Sequence, residues 1–316
     1  MPALAMFLLG LLMLLLGTDS LLRAVAGLGQ RFGLSPFASG LLLFGFAGSI
    51  PDLVVNSYAL ATGAGDLALG NAIGGSIANL GLVLGTAALA SPLLLGMRLL
   101  AGHSLFVLLA AGLVLMFGMD GVLARWEGGI LFSAFFACLA FLFLRGRQES
   151  APVQSQVVDF AETSTIPVQN LIRLAFAAGL LYFGSRWVVQ GAPVLGAALG
   201  FNALASGLTL VAVGTALPKL ALAVMAALRG QGNIVAAQVL GACLFNLLFM
   251  LGVMAMAQPL ALPGTVLRVE LSVAMALALL LYFFLAGGVR VGRGHGAALL
   301  VGFAAWLGFT LSTALG

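Results

Sequence analysis

The sequence predicts an all-α polytopic membrane protein, with about ten transmembrane helices in two inverted five-helix repeats and broken helices at the midplane. Three observations predict it. The 316 residues are 62% hydrophobic and only 7% charged, with a mean hydropathy of +1.20, far too apolar for a soluble domain of this length. Apolar runs long enough to cross a bilayer recur from end to end. The two halves also align with each other without a gap.

Run lengths, together with breaks at Gly, Pro and charged residues, place helices at roughly 3–29, 36–62, 66–91, 99–118, 123–145, 169–191, 202–228, 232–256, 267–286 and 294–314. The N-terminal run lacks a basic leader and a convincing cleavage site, so it reads as the first membrane helix and not as a signal peptide. The polar stretch from Arg145 to Pro167 reads as a flexible linker. The expected organisation is therefore a first repeat at 1–145, a linker loop at 146–168 and a second repeat at 169–316.

The repeat itself is explicit. LGQRFGLSPFASGLLLFGFAGSIPDL from Leu28 lies over LGAALGFNALASGLTLVAVGTALPKL from Leu195, an offset of 167. GAGDLALGNAIGGSIANLGLVLG from Gly63 continues over GQGNIVAAQVLGACLFNLLFMLG from Gly230. About 18 of some 58 positions are identical, and they include Pro51 with Pro218 and Asn79 with Asn246. An odd number of helices per repeat forces the copies to enter the membrane from opposite sides, so the repeats are inverted. Arg31, Arg98, Arg145, Arg147, Arg229, Arg290 and Arg293 fall on one set of loops. The positive-inside rule makes that side cytoplasmic, with the central loop inside and both termini outside. The expected location is a prokaryotic inner (plasma) membrane.

Each repeat carries a helix interrupted by small residues and a proline: FGFAGSIPD, from Phe44 to Asp52, and VAVGTALPK, from Val211 to Lys219. A proline frees the carbonyl four residues earlier, here that of Ala47 for Pro51 and of Gly214 for Pro218. Freed carbonyls in hydrocarbon must face protein, water or an ion. Matched interruptions in inverted repeats point to a transport site. The candidate site therefore comprises Ala47, Gly48, Ser49, Asp52, Asn79, Gly214, Thr215, Lys219 and Asn246, with Pro51 and Pro218 as the helix breaks. Its candidate metal ligands are Asp52, Ser49, Asn79, Thr215 and Asn246.

This pattern resembles the two alpha-repeats of the sodium/calcium exchanger (cation/calcium antiporter) superfamily, which read like GTSLPE in one helix and GN..GSNI.N or GSNI.D in the next. The resemblance covers most of the chain and implies a ten-helix cation exchanger. Carried over residue by residue, it places Gly48 and Ser49 at the family's small-polar pair and Asp52 at its first essential glutamate. Gly75 falls at a serine, and Asn79 closes the first motif. In the second repeat, Thr215 keeps the threonine, Ala216 and Ala242 replace serines, Asn246 closes the motif, and Lys219 stands at the second essential glutamate.

That lysine alters the expected chemistry. The family's two carboxylates become one carboxylate and one ammonium, whose charges sum to zero. Burial and the positive end of the helix beginning near Pro218 oppose the ammonium, while Asp52 supports it. The expected function is secondary-active, alternating-access antiport, with sodium displacing Lys219 from Asp52 and Lys219 releasing its proton. Two other readings stand beside it. One is calcium exchange against sodium or protons with Lys219 outside the site. The other is a non-exchanging protein or organic-solute carrier with a permanent Asp52–Lys219 salt bridge.

The remaining chemistry-bearing residues are sparse. Asp19 and Arg186 occupy repeat-equivalent positions and read as a helix pair or an aqueous entrance. Cys138 and Cys243 read as buried hydrophobes. Glu127, Glu270, His103 and His295 lie near predicted helix ends. No nucleophile–base arrangement or phosphate loop occurs, so neither an enzyme nor a bound cofactor is expected beyond the transported Na+, Ca2+ or H+. The net charge of +4 is spread over loops and predicts no nucleic-acid partner. The expected partners are an inorganic cation and the bilayer, and the oligomeric state is unassigned.

Overall fold

The computed structural model describes residues 2–33, 49–95, 99–146, 163–286 and 290–315. Within them run ten helices. The first repeat contributes α1 (Ala3–Arg31), α2 (Ile50–Ala61), α3 (Gly65–Ala90), α4 (Leu99–Phe117) and α5 (Arg125–Gly146). The second contributes α6 (Pro167–Ala198), α7 (Ala203–Leu228), α8 (Gly232–Ala257), α9 (Leu271–Ala286) and α10 (Arg293–Leu315). Eight of the described helices are long and apolar enough to span a membrane. The first part of the helix expected at 36–62, including Ala47 and Gly48, lies outside the described residues.

Two short antiparallel strand pairs expose the inversion. Strands β1 (Leu93–Leu94), β2 (Val122–Leu123), β3 (Leu260–Ala261) and β4 (Arg290–Val291) occupy the connections flanking α4 and α9. Leu93 is in register with Val291, and Leu123 with Leu260. Adding the repeat offset to β1 gives β3 (93 + 167 = 260). Yet β1 pairs at one end of α4 and β3 at the other, a separation of about 28 Å for 19 residues. Equivalent connections thus sit at opposite ends of the bundle, as inverted repeats require.

Helices α3 and α8 form the centre: 83% and 78% of their spans are buried, against 28–44% for the other spanning helices. Their small residues make this possible. A Cβ at Gly70 or Gly74 would collide with the backbone of α7 at Leu204 and Leu208. Gly85 lies against Gly296 of α10, and its repeat mate Gly252 lies against Gly128 of α5. With no hydrophobic drive between helices in lipid, such close backbone approach supplies the association energy. The long helices α1 and α6 run together along one side, with Gly10 and Gly184 in contact and Gly191 against Ala3 and Phe7.

Among the described residues four π-helical segments interrupt the regular turns: Asn79–Val83 in α3, Gly207–Val211 in α7, Phe245–Met250 in α8 and Val266–Glu270 leading into α9. Each widens a turn and loosens the local hydrogen-bond ladder. The structure differs from the sequence expectation at the prolines. Pro51 stands in the first turn of α2 as described, with Ser49 at the N-cap position and making no side-chain capping bond. Pro218 instead lies inside a continuous helix, Ala212–Leu228, and the irregularity of α7 is displaced to its π segment. One missing N–H is tolerated where neighbouring helices support the backbone.

Candidate functional site

Helices α2 and α7 meet through Asp52 and Lys219. Lys219 Nζ donates to Asp52 Oδ2 at 2.6 Å, between residues that are themselves repeat mates. Asp52 is fully buried and Lys219 is 4% exposed. A paired charge is far less costly in a low-dielectric interior than a lone one. Asp52 Oδ1, by contrast, has no partner among the described residues.

Among the described residues several further buried polar atoms are left unpaired. Ser49 Oγ, at the cap of α2, has no hydrogen-bond partner. Neither the oxygen nor the nitrogen of Asn79 or Asn246 has one. Both asparagines are fully buried and both lie at the start of π segments, Asn79 first in its segment and Asn246 second. A buried amide without partners costs about 1–3 kcal/mol, so two of them at symmetric places argue for an occupant. Gly75 belongs to this arrangement: a Cβ there would come within 3.0 Å of Asn246 Nδ2, so the missing side chain gives that amide its room.

Thr215 is buried as well. Its hydroxyl lies 3.3 Å from the Ala212 carbonyl and 3.4 Å from Asn71 Oδ1. Asn71 Nδ2 in turn donates to Asn56 Oδ1 at 2.7 Å, and Asn56 Nδ2 is left over. This α2–α3–α7 network was missed by the repeat comparison because its members have no like mates: Asn71 matches Gln238, and Asn56 matches Ala223. The Gly-Asn that opens the resembling motif, Gly70-Asn71 here, was the available signal. Gly214 has a different use. A Cβ on it would meet Leu11 and Phe7 of α1, so it seats α1 against α7.

Of the other sequence candidates, Cys243 is buried, and its thiol lies 3.6 Å from the carbonyl oxygen of its repeat mate Ser76. Asp19 pairs with Arg23 one turn along α1, not with Arg186, which is exposed on α6. Glu127 Oε2 accepts from the Ala124 amide at 2.8 Å at the start of α5. Glu270 is buried within a π segment with Oε2 unpaired.

Beside the buried Asp52–Lys219 pair, the described residues thus hold unpaired side-chain oxygens on Ser49, Asn79 and Asn246. Among the described residues no cluster of three His, Cys, Asp or Glu side chains occurs. Comparison with known proteins places this arrangement in context. The family profile described as "Sodium/calcium exchanger protein" matches residues 2–144 and 170–312. The inner membrane protein YrbG of Escherichia coli is 32% identical over 96% of this chain and 95% of its own length. The sodium/calcium exchanger MaX1 of Methanosarcina acetivorans is 26% identical over 95% of this chain and 96% of its own. The solved sodium-calcium exchanger NCX_Mj, soaked with Na+ and Sr2+, superposes with a TM-score of 0.69 at 28% identity, covering 97% of this chain and 98% of that one.

Proposed function

The chain belongs to the sodium/calcium exchanger family, and on that premise we propose that it exchanges a monovalent cation, sodium, for a proton at Asp52. The observation that carries this reading is the buried 2.6 Å Lys219–Asp52 pair. A sodium ion replaces the ammonium on Asp52 and takes further oxygens from Ser49, Asn79, Asn246 and Thr215, while Lys219 releases one proton. The ionised pair sums to zero before the exchange. Carboxylate, sodium and neutral amine sum to zero after it. One sodium therefore moves for one proton, and the buried site carries no net charge in either loaded form.

Charge also favours a monovalent occupant. With Asp52 and Lys219 at similar distances, attraction and repulsion on any ion nearly cancel while the lysine stays charged. A divalent ion gains nothing from its second charge until the ammonium is gone. The second reading is calcium exchange with Lys219 moved out of the site, which the free oxygens of Asp52, Asn79 and Asn246 favour, since calcium takes six to eight oxygen ligands. The expected orientation places both termini outside and the 146–168 loop in the cytoplasm, dividing repeats at 1–145 and 169–316.

Purified protein in liposomes tests the proposal. A sodium gradient is expected to drive proton movement of opposite direction, reported by an entrapped pH dye, and Lys219→Gln is expected to uncouple the two. A sodium gradient that moves no protons, with Lys219→Gln behaving as the native protein does, sinks it. Calcium uptake abolished by Asp52→Asn establishes the second reading.

A further inference from the structure

A cavity of about 270 Å³ lies between α1, α2, α7 and α8. Its floor is the site itself: Pro51, Pro218 and Lys219 line it. Lys219 reaches it with a side chain 5% exposed, whereas that of Asp52 behind it is fully closed off. Farther along α1, toward the helix end that carries Arg31, the lining includes Asp19 and Arg23. Their ion pair is held by Arg23 Nε at 2.9 and 3.1 Å from the two carboxylate oxygens. Both side chains are 59% exposed, so this end is the mouth.

The order of charges along the cavity is the informative feature. An anion and a cation sit paired at the mouth, Lys219 at the floor and Asp52 behind it. Asp19 and Arg23 cancel at the mouth, and Asp52 cancels Lys219, but Lys219 stands in front and turns the positive end of that pair toward the cavity. A cation that reaches Asp52 through this cavity meets that positive end first. The acidic group in the described lining, Asp19, is neutralised for as long as Arg23 holds it. Where the mouth opens to water, an exposed pair of this kind is worth little and opens readily.

We propose that Asp19 is the recruiting residue for the transported cation and that Arg23 is a charge guard on the passage. Arg23 slows divalent ions more than monovalent ones because repulsion scales with the charge of the passing ion. This rests on Asp52 being the cation's destination. It adds a specificity device outside the binding site, on a helix whose own residues hold none of the proposed ligands.

The test uses the full chain in liposomes, following initial uptake of radiolabelled sodium with and without competing calcium, alongside calorimetric sodium affinity at equilibrium. Asp19→Asn is expected to lower the initial rate about 3- to 10-fold at low ionic strength and much less at high salt, the mark of an electrostatic recruiting site. Equilibrium affinity stays within about twofold because Asp19 does not hold the bound ion. Asp19→Glu restores the rate. Arg23→Gln is expected to raise the rate and to make calcium a several-fold stronger competitor. Unchanged rates in both variants overturn the proposal, as does an Asp19→Asn defect that is independent of salt or equally large in equilibrium affinity. If Asp19→Asn does not fold, the calcium competition of Arg23→Gln decides alone. Sodium uptake that survives Asp52→Asn defeats the underlying reading of the site, a result separable from any outcome at Asp19 or Arg23.

Discussion

Replacing Lys219 by glutamine separates ion selectivity from fold, because the charge is removed while the side chain stays polar and only one atom shorter. Lys219 Nζ is 2.6 Å from Asp52 Oδ2, and Asp52 Oδ1 is free, so a cation on Oδ1 stands roughly 4 Å from the ammonium. At an effective dielectric near 20, the repulsion at that separation is about 4 kcal/mol for a monovalent ion and about 8 kcal/mol for a divalent one. Glutamine removes both terms. Their difference, about 4 kcal/mol, is a ceiling of nearly three decades in relative affinity. Solvent and side-chain relaxation reduce it, and a shift of at least about tenfold toward calcium over sodium is expected. Calorimetric titration of native and Lys219→Gln protein with NaCl and CaCl2 reads that ratio directly. Proton flux driven by sodium is expected to vanish in the same variant. A ratio that moves by less than about twofold, with proton flux intact, refutes both the charge argument and the role assigned to the lysine.

Removing the other partner has a different signature. Asp52→Asn strands a buried ammonium and is expected to cost about 3–5 kcal/mol of stability, while the double variant Asp52→Asn/Lys219→Gln recovers most of it. Thermal melts of the two in detergent check this. Asn71 and Asn79 are expected to respond in opposite senses. Asn71→Ala deprives Asn56 of its partner and leaves Thr215 only the Ala212 carbonyl, costing about 1–3 kcal/mol. Asn79→Ala removes atoms that bond to nothing in the protein, so its melt stays near native while sodium affinity falls. Gly75→Ala gains helix propensity of about 1 kcal/mol yet crowds Asn246 Nδ2. The same calorimetry is expected to show a several-fold loss of sodium affinity without a loss of melting temperature.

The helices were legible because lipid makes length and hydropathy decisive. The spans read at 66–91, 99–118 and 232–256 differ from Gly65–Ala90, Leu99–Phe117 and Gly232–Ala257 by a residue or so at each end. The helix read at 169–191 runs on to Ala198, with Pro193 inside it. Gly191-Ala192-Pro193 carries the composition of a stop, but packing against the start of α1 at Ala3 and Phe7 holds it in the helix. The π segments were not legible. A widened turn is set by what packs on either side of it, and nothing in FNLLFM or GLTLV distinguishes it from an ordinary α-turn. Repeat symmetry brought Asp52, Lys219, Asn79 and Asn246 into view together. The same method passed over Asn56, whose mate is an alanine, because it finds only what both copies keep.

The departure from symmetry is where the mechanism lies. In an antiporter an unloaded site must not cross, or the gradients collapse. On the sodium/proton reading, the Asp52–Lys219 pair enforces this through charge. Four occupancies are possible at a buried site of this composition. Carboxylate with ammonium is neutral, and so is carboxylate with sodium and neutral amine. Carboxylate with neutral amine alone carries −1, and carboxylate with both sodium and ammonium carries +1. Asp52 has no access to water in the closed arrangement, so a site with unit net charge incurs a desolvation cost of several kcal/mol that the neutral forms avoid. The two neutral forms are the two loaded forms, and occlusion is cheap only for them. Replacing a carboxylate by a lysine therefore supplies the counter-ion from within the chain. It makes the exchange electroneutral, so a membrane potential imposed with potassium and valinomycin is expected to leave the rate of sodium-driven proton movement unchanged. A rate that follows the imposed potential shows that net charge crosses, and it excludes a one-for-one exchange gated by this pair.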